Sequence, residues 1–399
     1  MSLSVCFLTR NEEANIARAL RSVVGVADEV IVADTASQDR TAQIAADMGA
    51  KVIQYQWDED FAAGRNFTVA QATGEWILWM NADEELLPSC HAHLKACLPL
   101  PRIFGYFVVL QNLTQADRLD DFLQTSDLRL FRRRPDLSFV GRLHPHFHPD
   151  LVAAIQKDGI QVLPCSVTIR SYAALTARTE AKLRWTLRLL ELELRDRPGQ
   201  LHYVIEHGRT LLVLNEPKAH TVLAEAVQQI LPARAADRPP ASNVQVLLDY
   251  ILTVPPEQYQ GALPKSEAVE LAWRWFSRSP FLLFNCAQYC FQAGEIRRSV
   301  EILERLLQLG KTGQYDRSHT FPPGLVGDDA LVNLAICHRQ LGELDKAEQC
   351  YRLLLHSSRF RSHGAEGLVA IQQLRRPGAA ASIAIGGGGS TKQTRERKK

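Results

Sequence analysis

Polar and acidic residues gather directly after three short apolar runs in the first quarter of the chain. Leu3 to Leu8 is followed by Thr9-Arg10-Asn11-Glu12-Glu13. Glu29 to Ala33 is followed by Asp34-Thr35-Ala36-Ser37-Gln38-Asp39-Arg40-Thr41, and Trp76 to Met80 by Asn81-Ala82-Asp83-Glu84-Glu85. In a parallel α/β domain ligands bind outside the C-terminal ends of the strands, so these three segments are placed to form a site. Taken singly, each also has a plain structural reading. Asp34 to Thr41 is a polar turn running into a helix cap, and Asp83-Glu84-Glu85 is an acidic helix start. Following an apolar strand, Asp83 is better read as a ligand for a hard divalent cation. Arg65 is either an anion contact or a helix-surface residue. His144, His146 and His148 alternate, so a strand would place all three on one face as a metal cluster, but Pro145 and Pro149 argue for irregular backbone. A dinucleotide fold would show Gly-x-Gly-x-x-Gly after the first strand and a P-loop would show Gly-Lys-Ser/Thr; neither is present. The same lack of a Gly-rich phosphate loop disfavours a nucleotidyltransferase.

The elements that must hold these segments alternate. Strand-like runs at Ser4–Leu8, Glu29–Ala33, Lys51–Tyr55 and Trp76–Met80 are separated by helical patterns at Ile16–Val23, Asp39–Met48 and Phe61–Ala72. Single helices between strands imply right-handed crossovers and a parallel sheet covered on both faces. Gly105–Leu110, Leu128–Phe131 and Ile160–Ile169 are β-rich, with no regular helix expected between them until about Thr176. They read as antiparallel strands added to the sheet.

Four segments together resemble family 2 glycosyltransferases of the GT-A fold. They are Leu8–Glu13, Val32–Thr41, Trp57 through Asp60–Asn66, and Gly74–Glu85, joined downstream by Leu128–Arg132 and Gly141–His144. The resemblance covers roughly residues 3–175. It implies a nucleotide-diphosphate sugar, UDP-linked as the first expectation, bound by Thr9, Asn11, Glu12, Asp34, Ser37, Arg65, Asn66 and Asn81. It implies Mg²⁺ or Mn²⁺ on Asp83, with His144 near the diphosphate, and sugar transfer by direct displacement with inversion. Two departures stand out: Asn81 occupies the first position of the usual Asp-x-Asp, and Pro145 stands where a Glu commonly follows His144. An inverting transferase needs a carboxylate facing the acceptor hydroxyl. Glu84, Glu85, Asp120, Asp121 and Asp127 are all candidates, and the sequence does not choose. The departures also open a second reading, a degenerate nucleotide-sugar-binding or scaffold protein acting through its helices.

The chain has 399 residues, enough for two or three domains, with 46% hydrophobic and 23% charged residues and a net charge of +2. Basic residues are spread along it, which argues against nucleic acid as a partner. The start lacks the features of a signal peptide and no run is apolar enough to span a membrane. The eight cysteines are scattered, without Cys-x-x-Cys. A cytoplasmic protein is expected, with peripheral contact at the inner membrane face open. Beyond the GT-A-type mixed sheet of 1–175, residues 176–265 read as a helical linker domain. Residues 266–376 read as tetratricopeptide-like hairpins, and 377–399 as a disordered basic tail. In the hairpin region Phe284–Ala287 leads into Gly294-Glu295, and Val332–Ala335 into Gly342-Glu343, with Lys311–Gly327 as an inserted loop. The helices are expected to position a glycan, lipid-linked or protein acceptor, to recruit a protein partner, or to dimerise.

Overall fold

The computed structural model describes residues 1–175 and 179–376. The basic tail expected at 377–399 lies outside the described residues. In chain order the elements begin β1 (Leu3–Thr9), α1 (Ile16–Ser22), β2 (Glu29–Asp34), α2 (Thr41–Asp47), β3 (Lys51–Gln54), α3 (Phe61–Ala70) and β4 (Trp76–Trp79). They continue with β5 (Glu84–Leu86), α4 (His91–Cys97), β6 (Ile103–Leu113), β7 (Phe122–Arg132), β8 (Phe139–Val140), β9 (His146–Phe147), α5 (Pro149–Lys157) and β10 (Gln161–Ser171). The helical remainder is α6 (Glu180–Asp196), α7 (Leu201–Val213), α8 (Ala219–Ile230), α9 (Val244–Thr253), α10 (Lys265–Trp275), α11 (Pro280–Gln292), α12 (Ile296–Thr312), α13 (Asp328–Gln340), α14 (Leu344–Leu354) and α15 (Arg361–Leu374).

The main sheet runs β3-β2-β1-β4-β7-β6-β10-β5. β3, β2, β1 and β4 are parallel, while β7 runs antiparallel to both its neighbours. The composition of β1 explains its central place. Leu3, Val5 and Phe7 enter the core beneath α1 and α4, and Cys6 enters the core beneath α3 and α5 on the other face. β4 repeats the alternation, with Trp76, Leu78 and Met80 on the first face and Ile77 and Trp79 on the second. Two apolar faces are what a strand covered on both sides requires. The chain leaves β1 for β2 and β3 on one side and β4 lies on the other, so strand order reverses between β1 and β4. A crevice forms at such a point.

Several elements correct the sequence reading. Glu84–Leu86 is an edge strand rather than a helix start; it pairs with β10, Glu84 opposite Ser171 and Glu85 opposite Arg170. α5 is a regular helix in the stretch expected to hold none, and α4, ahead of that stretch, has no counterpart in the sequence reading; both are short, and α4 begins His-Ala-His, which hides its apolar face. The antiparallel strands are longer than their apolar runs: β6 and β7 pair from Gly105↔Phe131 to Leu113↔Phe122. β10 joins β6 in parallel rather than antiparallel, made possible by the intervening α5.

The chain divides into two compact units. The first comprises Met1–Asn285 with Gln314–Pro323, so α6 to α10 fold with the sheet. Its latch is Glu193 of α6, fully buried, which accepts from the Arg142 amide at 2.9 Å and from Arg197 Nη2 at 2.7 Å. Residues 314–323, read as an inserted loop, form a strap along β7. Gln124 and Phe321 exchange backbone hydrogen bonds (2.8 and 3.0 Å), and the Ser126 amide donates to the Arg317 carbonyl at 2.6 Å. Phe321 is buried.

The second unit holds Cys286–Gly313 and the residues from Gly324 onward. α12, α13, α14 and α15 pack in sequence, each against the next. Gly342 turns the chain between α13 and α14 at φ 74°, where a side chain would be strained. Gly367 of α15 faces Tyr351 so closely that a Cβ there would lie 2.3 Å from the ring.

Candidate functional site

The ends of β1 and β2 are laced together. Thr9 and Asp34 are register partners and both buried. The Asp34 carboxylate accepts from the Ser37 amide (2.9 Å), the Ser37 hydroxyl (2.5 Å) and Thr9 Oγ1 (3.4 Å). Asn11 takes a left-handed backbone (φ 55°), its amide donating to Ser37 Oγ at 2.9 Å and its Oδ1 accepting from the Gln38 amide at 2.8 Å. The Glu12 amide donates to Thr41 Oγ1 at 2.6 Å. Local hydrogen bonds thus build a polar shelf across the C-terminal ends of β1 and β2.

The end of β4 carries the charge. Glu84 is 2% exposed and its carboxylate is enclosed. It accepts from the Asn81 amide (2.7 Å) and Asn81 Nδ2 (3.0 Å), and it pairs with Arg129 at 3.3 Å. Arg129 in turn holds Asp127 at 2.6 Å, whose side chain is half exposed. Burial raises the Glu84 carboxyl above the usual range, outweighing Arg129. Burial also works to raise Asp127, but Arg129 and Arg65 bring it below that range, so it stays ionised. Arg65 lies 4.5 Å over the Trp79 ring and 5.0 Å over Phe139, with a buried Nε that has no partner. Burial and the nearby Arg129 lower its guanidinium, which nevertheless remains a cation at neutral pH.

Asp83 differs from this network. It is half-buried, and among the described residues no cation lies within ion-pair distance of it. Burial pushes its carboxyl up, and does the same to Glu12, whose charge interacts with that of Asp83. Two half-buried carboxylates without an ion-pair partner among the described residues, on a polar shelf, fit a divalent cation. Among the described residues no three His, Cys, Asp or Glu side chains converge as a ready-made cation cage. Any bound cation would therefore draw further ligands from substrate and water.

The other sequence candidates are spread out. Asn66 clamps Phe139, accepting from its amide (2.7 Å) and donating to its carbonyl (2.9 Å), so both ends of its amide are committed to the fold. Glu85 accepts from the Tyr172 hydroxyl at 2.7 Å. Asp120 and Asp121 sit at the tip of the β6–β7 hairpin. His144 is exposed at φ 51°, only His146 of the three histidines is in a strand, and His148 caps α5, so the single-face arrangement of the three is not formed. Sequence reading missed Arg18, Arg129, Tyr172 and Lys182. Arg18 and Lys182 act on the Asp83 charge from the first turns of α1 and α6. Helical periodicity marks only apolar faces, so their placement carried no signal.

The comparisons with known proteins meet this geometry. Residues 4–96 match the model of glycosyl transferase family 2. Over this segment the chain is similar to family 2 glycosyltransferases. The matched segment runs from β1 into α4 and contains the shelf, Asp83, Glu84 and Arg65. The chain is 40% identical over 156 residues to a TPR repeat-containing protein of Synechococcus elongatus, covering 39% of this chain and 38% of that one. It is 44% identical over 84 residues to an uncharacterized glycosyltransferase of Rickettsia typhi, covering 21% of this chain and 28% of that one. These matches thus span well under half the length of either relative. The crystal structure of S. aureus TarS is similar with a TM-score of 0.36 and 16% identity, over 63% of this chain and 51% of that chain.

Proposed function

We propose that the chain is an inverting, metal-dependent glycosyltransferase. It would move a sugar from a nucleotide-diphosphate donor, UDP-linked by first preference, to a hydroxyl of a glycan, lipid-linked or protein acceptor. The observation that carries this reading is the unpaired Asp83 beside Glu12, at the end of β4 where strand order reverses, within a segment matching family 2. The shelf of Thr9, Asn11, Asp34 and Ser37 would receive the nucleoside. Asp83 would hold Mg²⁺ or Mn²⁺, which offsets the charge that builds on the departing diphosphate.

Of the base candidates, the geometry favours Asp127. Glu84 is sealed by Asn81 and Arg129, and Glu85 is engaged by Tyr172, whereas Asp127 is half exposed and held ionised and oriented by Arg129. In the proposed step the acceptor oxygen bonds to the anomeric carbon as the bond from that carbon to the diphosphate breaks. The acceptor proton passes to Asp127 and the nucleoside diphosphate leaves. Asp127→Asn should lower kcat about 10²-fold or more while leaving donor KM within about twofold. An unchanged kcat would assign the base elsewhere.

A second reading rests on a different observation. Asn81, expected on the ribose, commits its amide to Glu84, which is how a site retired from turnover could keep its fold. The chain would then act as a nucleotide-sugar-binding or scaffold protein, with the helical unit taking a protein partner or a second copy of the chain. That unit holds a groove of about 320 Å³ lined by Gln288, Phe291, Leu303, Asn333 and Ile336. Robust sugar transfer by the unaltered chain would exclude this reading. Among the described residues no helix is long and apolar enough to cross a membrane; a cytoplasmic setting, with peripheral contact at the inner face, belongs to the proposal.

A further inference from the structure

We infer that Arg18 is a diphosphate-binding residue of the donor site, held beside Asp83 by Tyr172; the inference rests on the nucleotide-sugar reading above. Arg18 stands in the first turn of α1, directly after the polar shelf. Its guanidinium carbon lies 3.8 Å from the centre of the Tyr172 ring. Tyr172 is itself fixed at both ends: its amide donates to the Asp83 carbonyl at 3.0 Å and its hydroxyl to Glu85 at 2.7 Å. A second connection runs through Asn15, which accepts from Arg18 Nη2 at 2.8 Å and donates to Glu12 Oε2 at 2.8 Å. Arg18 is therefore linked to both acidic residues of the candidate metal site, through Tyr172 to the backbone of Asp83 and through Asn15 to the Glu12 carboxylate.

What the guanidinium lacks is an anion. Its Nε is buried without a partner, and no carboxylate lies within ion-pair distance of it among the described residues. A surface arginine resting on an aromatic ring gains from the contact and leaves its donors in water. Here a donor has been taken out of water with nothing to receive it, which is costly unless a ligand supplies the acceptor. Among the described residues none of Asp83, Glu12 and Arg18 has an ion-pair partner. A metal-bound diphosphate supplies a partner to all three, its oxygens meeting the planar donor edge that arginine presents to phosphate. Rigid support by Tyr172 and Asn15 lowers the ordering cost of that contact.

The test is calorimetric titration of UMP and UDP, each with Mn²⁺, into the full chain and its Arg18→Met, Arg18→Lys and Tyr172→Leu variants. The wild type should bind UDP more tightly than UMP. Arg18→Met should shrink that preference about tenfold with UMP affinity within about twofold, since one charge-assisted contact to the outer phosphate is lost. Arg18→Lys should recover part of the preference, keeping the charge but not the planar fork, and Tyr172→Leu should shrink it with the guanidinium still present. An unchanged UDP preference in both Arg18→Met and Tyr172→Leu would overturn the inference while leaving the nucleotide-sugar reading intact. A wild type that binds neither nucleotide would overturn both.

Discussion

At the residue scale, position 81 shows how a motif departure can be structural. Read from sequence, Asn81 is an Asp-x-Asp that lost a carboxylate. In the fold its Nδ2 is a donor to Glu84, a carboxylate already 2% exposed and raised by burial. An aspartate there would lose the donor and set a second negative charge against the first. Asn81→Asp should therefore destabilise the chain by about 1–3 kcal/mol and fail to raise transfer activity, read from urea unfolding midpoints and a donor-turnover assay. A variant as stable as the parent would mean that the Asn81–Glu84 contact contributes nothing. Arg129, Glu84 and Asp127 form a unit for the same reason. The buried guanidinium is matched on one side by a sealed carboxylate and on the other by one that reaches solvent, so a single residue both anchors β7 and orients Asp127.

At the element scale, the strap at 314–323 extends the sheet along β7, pairing with it next to Asp127. Its anchor is Phe321, 1% exposed, and Phe321→Ala should cost about 3–5 kcal/mol by cavity formation, seen as a lower urea midpoint. A loss under about 1 kcal/mol would show that the strap is held by backbone pairing alone. The sequence made the central sheet legible because β1, β2 and β4 are apolar on both faces and end in polar clusters. It concealed α4 and α5, which are short and flanked by histidines. It also concealed β5, whose two glutamates mimic a helix start while their pairing with β10 is a tertiary fact. The polar shelf was legible as a group of residues, because Asp34, Ser37 and Asn11 sit at a strand end. Arg18, Tyr172 and Lys182 were not, since they come from helix starts and a strand end far apart in sequence. Gly294 and Gly342 announced their turns, as positive-φ backbone demands.

At the scale of the whole molecule, charge burial should couple stability to pH. Asp249 of α9 accepts from Asn285 Nδ2, and burial pushes its carboxyl up to about 6. Above that value both folded and unfolded chains carry the charge, and folding buries it at a cost. As pH falls from about 6 toward the unfolded carboxyl near 4, the folded chain takes up a proton first, so this residue's contribution to stability rises as pH falls. Asp249→Asn should accordingly raise Tm by a few degrees at about pH 7, with the gain shrinking by about pH 5; a gain independent of pH would assign the effect to packing. The central claim concerns the end of β4, where Asp83 and Glu12 meet the shelf. The most direct measurement is isothermal titration of UDP into the full chain and into Asp83→Ala, with and without Mn²⁺. Binding that strengthens with Mn²⁺ in the parent, and loses that dependence with roughly a tenfold or greater fall in affinity in Asp83→Ala, is the expected result. Equal UDP affinity in parent and variant, indifferent to Mn²⁺, would contradict a metal-dependent donor site at the end of β4.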